Sequence, residues 1–491
     1  MKDLKLSPSN TMRSAIIAAL PAETTSFGNT PLAKEVYIPV SHIKALRLEC
    51  NLVIGHRGVG KTFWSAALGD ATIRKILGKE IPDLSHVEVH TGFGDKPNVA
   101  HYPDGDLFTS LLKKKFEPYP IWRAVLARWL VAFDASVNVP TDSWEATITW
   151  VQDNPESFAR LLENANAYFS RNNKHGLIVF DALDRSSTDW QNMDSIVRDL
   201  LRVVLLLKRF SRLHGKIFLR FDQFSRHAIA DFPDASKLLN MKVDLTWRPR
   251  DLHGLLWQYL CNGPEDSGKI MRETFKMIVG SDPLLLERTI WSITGAAKND
   301  ETIQRQLFIE LAGAWMGRDR RRGVPYTWAV GHLSDGHQQV SPRSFLAAIR
   351  AAAEDSGQRY SEHPHPLHYE SIKRGIQQAS QIRIAELAED YPWVKTLMEP
   401  LSGISVPCEF EVIQKCWDDS NTLTAVKQLT QKKLPPEHID NGWNGMRLDL
   451  ENLGIFDKFK DGRVNMPDLY RVGFGLGRKG GVKPMAKINN Q

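Results

Sequence analysis

Three apolar runs, each bounded by polar residues, recur along the first half of the chain: Leu52 to Ile54, Leu177 to Phe180 and Ile217 to Leu219. Short runs without alternation predict strands buried on both faces, as in a parallel sheet covered by helices. Between them, NPESFARLLENANAYFSRNN and MDSIVRDLLRVVLLLKRF space their apolar residues for helices with one polar face. VEVHTGFG (87–94) alternates like a further strand, and KVDLTW (242–247) reads as another. Strand and helix alternate throughout, which predicts an α/β class with a doubly wound parallel sheet.

The pattern changes beyond about 255. From 256 to 358 the spacing predicts helices and no strand, in MRETFKMIV, PLLLERTIWSITGA, ETIQRQLFIELAGAWMG and SPRSFLAAIRAAAEDS. This reads as a helical lid following a core at 46–255, itself preceded by an N-terminal segment at 1–45 with one short amphipathic helix. Residues 359–400 read as a connector. In 401–491, FEVIQKCW, TLTAVKQLTQK and WNGMRLDLENLGIF predict three helices, and KFKDGRVNMPDLY a hairpin turning at Asp461 and Gly462. Three helices and a β-wing predict a winged-helix-like domain.

The chemistry concentrates at the ends of two predicted strands. GHRGVGKT (55–62) fits the Walker A pattern directly after the first apolar run. Gly55, Gly58 and Gly60 free the backbone so that successive N–H groups, including those around Val59 and Phe63, face one phosphate-sized concavity. Lys61 adds a point charge between the β and γ phosphates, and the Thr62 hydroxyl is an oxygen ligand for Mg²⁺. At the end of the second run stands Asp181, expected beside the P-loop strand and able to hold Mg²⁺; Asp184 follows, placed to orient water or extend the metal's shell. Arg220 and Asp222 stand near the end of the third run. The segment Tyr37 to Ala45 is either a wall of the base pocket or plain packing.

Composition adds boundaries. With 491 residues, 42% hydrophobic and 24% charged, the chain is ordinary for a globular protein of about three domains. No apolar segment approaches a transmembrane length, and MKDLKLSPSN lacks a secretory apolar stretch. Cys50, Cys261, Cys408 and Cys416 lack C-x-x-C spacing and read as reduced thiols. A cytoplasmic protein without membrane attachment is therefore expected. The net charge of +6 gathers toward the C-terminus, where Arg471, Arg478, Lys479, Lys483 and Lys487 stand in a tail without acid. DNA contact through residues 440–487 is one reading and protein docking the other, since Asp449 and Glu451 lie in the third helix. GRDRRRG (317–323) reads as a solvated loop, or as a contact for phosphate or another subunit. His363, His365 and His368 are interrupted by prolines and do not predict zinc. Ser341 is placed to cap a helix begun by Pro342 and Arg343. Arg343 can then reach a γ-phosphate or make a surface ion pair.

GHRGVGKT (55–62), LIVFDALDR (177–185), KIFLRFD (216–222) and SPRSFLAAIR (341–350) together resemble the AAA+ superfamily and its STAND-type relatives, common in bacterial defence and regulation. The resemblance spans roughly 36 to 355, with a winged-helix-like end. It implies ATP with Mg²⁺, Lys61 and Thr62 on phosphates and metal, Asp181 as Walker B, KIFLRFD in the sensor 1 position and Arg343 as sensor 2. It also implies a homo-oligomer completed by a trans-acting arginine, with Arg185, Arg248, Arg250 and the 318–322 cluster as candidates. Most AAA+ members carry Glu directly after the Walker B Asp; here Ala182 stands there, so Asp184 resembles a D-x-x-D form and implies slow hydrolysis. The function implied is an oligomeric ATPase switch or motor of an antiphage defence system, whose effector is a separate protein. A nucleotide-tuned DNA-binding regulator or initiator is the alternative.

Overall fold

The computed structural model describes residues 8–22, 28–187, 192–224, 232–287, 289–429, 435–479 and 482–484. Lys487, the last of the tail cations, lies outside them. The chain forms two compact units, Thr25–Thr246 and Met1–Thr24 with Trp247–Gln491.

The first unit is built on five parallel strands: β1 (Leu52–Gly55), β2 (Val87–Phe93), β3 (His175–Phe180), β4 (Leu213–Arg220) and β5 (Val243–Asp244). Their order is β2-β3-β4-β1-β5. Leu52, Val53, Leu177, Ile178, Phe180, Ile217 and Leu219 are all buried, as unbroken apolar runs require in a sheet covered on both faces. One expectation is corrected here. The strand carrying Asp181 does not adjoin the P-loop strand; β4 lies between them, paired to β1 as Gly55↔Arg220 and to β3 as Phe180↔Ile217. Spacing along a chain does not fix lateral order in a parallel sheet, because every crossover can pass over a neighbour.

One face of this sheet is covered by helices Pro118–Leu130, Pro155–Arg171 and Met193–Leu207 around Trp122, Trp129, Phe158, Phe169 and Phe180. Trp122 meets Phe180 edge-on, with centroids 5.6 Å apart, and its Nε1–H donates to Ile196 O at 3.0 Å. An indole is tolerated in such a core because its one donor is satisfied. Elsewhere Lys216 of β4, fully buried, donates from Nζ to Ala45 O at 2.7 Å and Arg47 O at 2.9 Å, and also to Cys50 O. Its ammonium therefore fastens the end of helix Val40–Leu46 and the turn before β1 to the middle of the sheet. Burial pushes this lysine down to about 8.

The second unit is mainly helical. Helix Pro342–Arg359 packs along the 22-residue helix Tyr369–Asp390, which occupies the stretch read as a connector. Helix Pro8–Ala19 joins this unit: Arg13 Nε donates to Pro366 O at 2.9 Å, and Arg350 donates to the carbonyls of Ile17 and Leu20. Within 256–358 the expectation of helix alone fails. Leu284–Glu287 (β6) and Ile290–Ser292 (β7) form an antiparallel pair where PLLLERTIWSITGA was read as helix. The reason lies in helix Pro249–Cys261 and the residue after it. Gln258 Nε2 and Asn262 Nδ2 donate to Trp291 O at 2.7 and 2.8 Å, and Trp291 N–H donates to Asn262 Oδ1 at 2.9 Å. Two amide side chains thus imitate a neighbouring strand and satisfy the outer edge of β7.

Near the C-terminus come helices Phe410–Asp419, Thr422–Leu429 and Gly442–Asn452, then β8 (Asp457–Lys458) antiparallel to β9 (Val464–Asn465). Asp461 and Gly462, the latter at φ +94°, stand in the intervening turn. Cys408 N–H donates to Val464 O at 3.0 Å and adds a bridge to the pair. His368 caps Tyr369–Asp390 by accepting from Glu370 N–H and stacks on Tyr360 at 3.6 Å.

Candidate nucleotide and metal site

The site lies in the unit Thr25–Thr246, where β1 ends and helix Lys61–Gly69 begins. Gly60 has φ +100° and Gly58 φ +81°, conformations that side chains disfavour; Gly60 is the residue on which the helix starts. Gly55 is needed for space instead. A Cβ there would stand 2.6 Å from Val59 Cγ2, so Val59, itself buried, closes over the end of β1. The next turn is pinned from beneath: Trp64 Nε1–H donates to His42 Nδ1 at 3.1 Å, and His42 Nε2 lies 3.0 Å from Thr246 O. Since Nδ1 accepts, the proton sits on Nε2 and is donated to Thr246. Burial holds this imidazole neutral, down to about 4.

Lys61 Nζ donates to Gly55 O and His56 O at 2.8 Å each, so the ammonium folds back over the loop that precedes it. Burial, with Arg220 nearby, lowers it to about 8, while Asp181, Asp222 and Asp184 act in the opposite direction. Asp181, at the end of β3, is 3% exposed. Burial raises its carboxyl to about 6, against a hydrogen bond donated by the Thr62 hydroxyl and the attraction of Lys61. Thr62 and the strand-end aspartate, 119 positions apart in sequence (181 − 62), are thus brought to one site. Oxygen donors only, one a carboxylate and one a hydroxyl, fit a hard divalent cation such as Mg²⁺.

Asp184 begins the short 3₁₀ turn Leu183–Arg185. It is more exposed than Asp181, and Arg220 Nη1 stands 3.9 Å from its Oδ2. Arg220 Nε also donates to Asp222 Oδ1 at 3.1 Å. The intervening strand therefore delivers a guanidinium between the P-loop and the two aspartates. Sequence reasoning noted Arg220 as a polar strand end without assigning it to the site; a charged residue closing an apolar run was the available signal. His56, the second residue of the loop, stacks on Phe221 with centroids 5.1 Å apart, a contact with no signal in the sequence. Ala182, following Asp181, adopts φ +53° and ψ 37°, left-handed backbone in a residue that is not glycine.

The arginine candidates are dispersed. Arg185 is paired within its own unit to Asp95. Arg248 begins helix Pro249–Cys261, its backbone N–H donating to Asp251. Arg343, after the Ser341 cap, has its Nη1 2.6 Å from Glu386 Oε1 in the second unit. Arg318, Arg320, Arg321 and Arg322 are exposed.

No family model and no curated protein matches the sequence. Among solved structures, the chain is similar to the Aeropyrum pernix ORC2 protein with ADPNP and ADP, at 12% identity and a TM-score of 0.39, covering 86% of this chain and 84% of that one. It is also similar to the A. pernix ORC1 protein in complex with DNA, at 13% identity and a TM-score of 0.33, covering 93% of each. A third is Cdc6p from Pyrobaculum aerophilum, at 11% identity and a TM-score of 0.28, covering 93% and 94%. At such scores the likeness lends the functional assignment no weight; local geometry does. Among the described residues no helix is long and apolar enough to cross a membrane.

Proposed function

We propose that the chain is a Mg²⁺-dependent ATPase of the AAA+/STAND kind. The observation that carries this reading is that the loop after β1 and the end of β3 bring Thr62 and Lys61 to the Asp181 carboxylate. Lys61 leaves its two loop carbonyls to meet the β and γ phosphates, and the N-terminus of Lys61–Gly69 favours the anion. Thr62 and Asp181 would hold Mg²⁺, which supplies neutralisation of phosphate charge. Arg220 reaches the same phosphates from β4 as a second cation. Asp184 is the carboxylate left to orient a water molecule, since Ala182 offers none. Asp184 is exposed and lies against Arg220, so it holds that water loosely, and turnover falls below the roughly 10 per second common among enzymes.

The finer reading is an oligomeric switch serving a defence or regulatory system, in which ATP orders the assembly and a separate effector protein receives the change. Arg343 acts as a lid arginine, and one of Arg185, Arg248, Arg250 or the 318–322 group acts in trans. A second reading, a nucleotide-tuned DNA-binding regulator, is favoured by one observation: three helices with a β pair precede the tail with exposed Lys479 and Lys483. On that reading residues 440–487 form a winged-helix-like module on DNA.

Equilibrium binding of a non-hydrolysable ATP analogue, with and without Mg²⁺, tests the site. Wild-type affinity should rise with the metal, and Asp181→Asn should remove that rise while leaving metal-free binding within a few-fold. A metal effect that survives Asp181→Asn would remove Asp181 from the ion's shell.

A further inference from the structure

Helices Glu301–Ala312 and Pro325–His332 are joined through the turn 317–323, which closes on its own backbone. Met316 N–H donates to Gly323 O at 2.9 Å, and Gly323 N–H to Arg320 O and Arg322 N–H to Asp319 O at 3.2 Å each. The only acid in the turn is used internally, because Asp319 Oδ1 accepts from Arg321 N–H at 2.8 Å to cap Arg320–Arg322. Arg318, Arg320, Arg321 and Arg322 are all exposed, and among the described residues none makes an ion pair.

A closed turn that holds four arginines around one carboxylate in five positions keeps an excess of three positive charges (4 − 1), whose mutual repulsion the turn itself does not offset. Arginine is also the cation whose planar fork fits phosphate oxygens in pairs. The turn itself carries no apolar residue, whereas a protein interface needs an apolar centre.

Contacts within the same unit lead from this turn to the basic tail. A Cβ on Gly323 would stand 3.0 Å from Trp328 Cδ1, and Trp328 stacks on His332 with centroids 3.9 Å apart. His332 Nε2 lies 3.6 Å from Asp468, which Arg471 and Arg478 approach at 2.7 and 3.0 Å. Arg478 is committed to that carboxylate, which leaves Lys479 and Lys483 as the tail's exposed lysines among the described residues.

We propose that the Arg318–Arg322 turn is a phosphate-binding element for nucleic acid, gripping the backbone together with Lys479 and Lys483 and reading no base sequence. The tail's share rests on the DNA reading given above; the turn is an element outside residues 440–487.

Fluorescence anisotropy of the full chain, without nucleotide, against a labelled random-sequence duplex and the matching single strand over a NaCl series tests this. Compared are wild type, a variant with Arg318, Arg320, Arg321 and Arg322 all changed to Gln, the same four changed to Lys, and Lys479→Gln with Lys483→Gln. The Gln turn variant should lose about tenfold or more in affinity at low salt and flatten the log–log salt slope on duplex by about 0.9 for each contact removed. The Lys variant should restore the slope. The single-strand arm shows the same direction with a smaller slope, of about 0.7 per contact. Wild-type affinity and slope in the Gln turn variant would overturn the proposal, as would loss confined to the lysine variant. So would loss of binding to poly-glutamate alone, which would assign the turn to an acidic protein. Because no nucleotide is present, failure of the ATPase reading leaves every one of these outcomes readable.

Discussion

Ala182 occupies left-handed backbone immediately after Asp181. For a residue with a Cβ this conformation costs about 1–2 kcal/mol. Ala182→Gly should therefore raise stability by about 1 kcal/mol in urea melts, reduced by the greater freedom of glycine in the unfolded chain. A fall of that size would mean the turn is relaxed as it stands. The two neighbouring charges carry a sharper prediction. Lys61 is held at about 8, below its ordinary 10.5, so its contribution to stability is full above 10.5 and is lost as pH falls through 8. Asp181 is held at about 6, above its ordinary 3.8, so its contribution is full below 3.8 and is lost as pH rises through 6. At neutral pH the free site thus carries two charges that folding disfavours and that phosphate and cation relieve. Calorimetric binding of preformed Mg²⁺–ATP analogue, repeated in buffers of different ionisation enthalpy, should show proton uptake near pH 8 and proton release near pH 6. Lys61→Met should abolish the uptake alone, and Asp181→Asn the release alone. Proton release at both pH values would contradict these assignments.

β4 shows what a strand in the middle of the sheet does for its neighbours. Its Lys216 satisfies carbonyls of Ala45, Arg47 and Cys50, and its end places Arg220 between the P-loop and Asp184. Lys216→Met would leave those buried carbonyls without a donor, at about 1–3 kcal/mol for the group, and should lower the denaturation midpoint accordingly. A midpoint unchanged from wild type would show that water replaces the ammonium. The strands β1, β3 and β4 were legible because each holds an unbroken apolar run, Lys61 and Thr62 because they close a glycine-rich loop that follows one, and Asp181 because it stands directly after another. Their order was not legible, since nothing in the runs tells which crossover passes over which. The pair β6–β7 was hidden for another reason. Leu284 to Leu286 form a run too short to separate strand from helix, and no Gly, Pro or Asn marks the turn after Glu287. What decides it is remote in sequence, the amides of Gln258 and Asn262. The His42 support under Trp64 was equally invisible, because a histidine in a short leading helix carries no periodic signal.

Gly55 to Phe63, Asp181, Asp184 and Arg220 all belong to the unit Thr25–Thr246, and Arg343 to the other. Scanning calorimetry should therefore resolve which unit nucleotide stabilises. An analogue at a hundred times its dissociation constant should stabilise the unit holding the P-loop by about 2.7 kcal/mol. If Arg343 closes on the γ-phosphate, the second transition should move as well, and Arg343→Ala should cancel only that movement. A second transition that is unmoved in wild type would leave Arg343 as the partner of Glu386 and nothing more. The whole account rests on a triphosphate held by Lys61 beside the Thr62–Asp181 pair. Steady-state release of inorganic phosphate from Mg-ATP, compared between wild type and Lys61→Ala, tests it most directly. The folded variant should lose turnover by about 100-fold or more, the scale of removing one charge-stabilising group. Equal rates in the two proteins would contradict it.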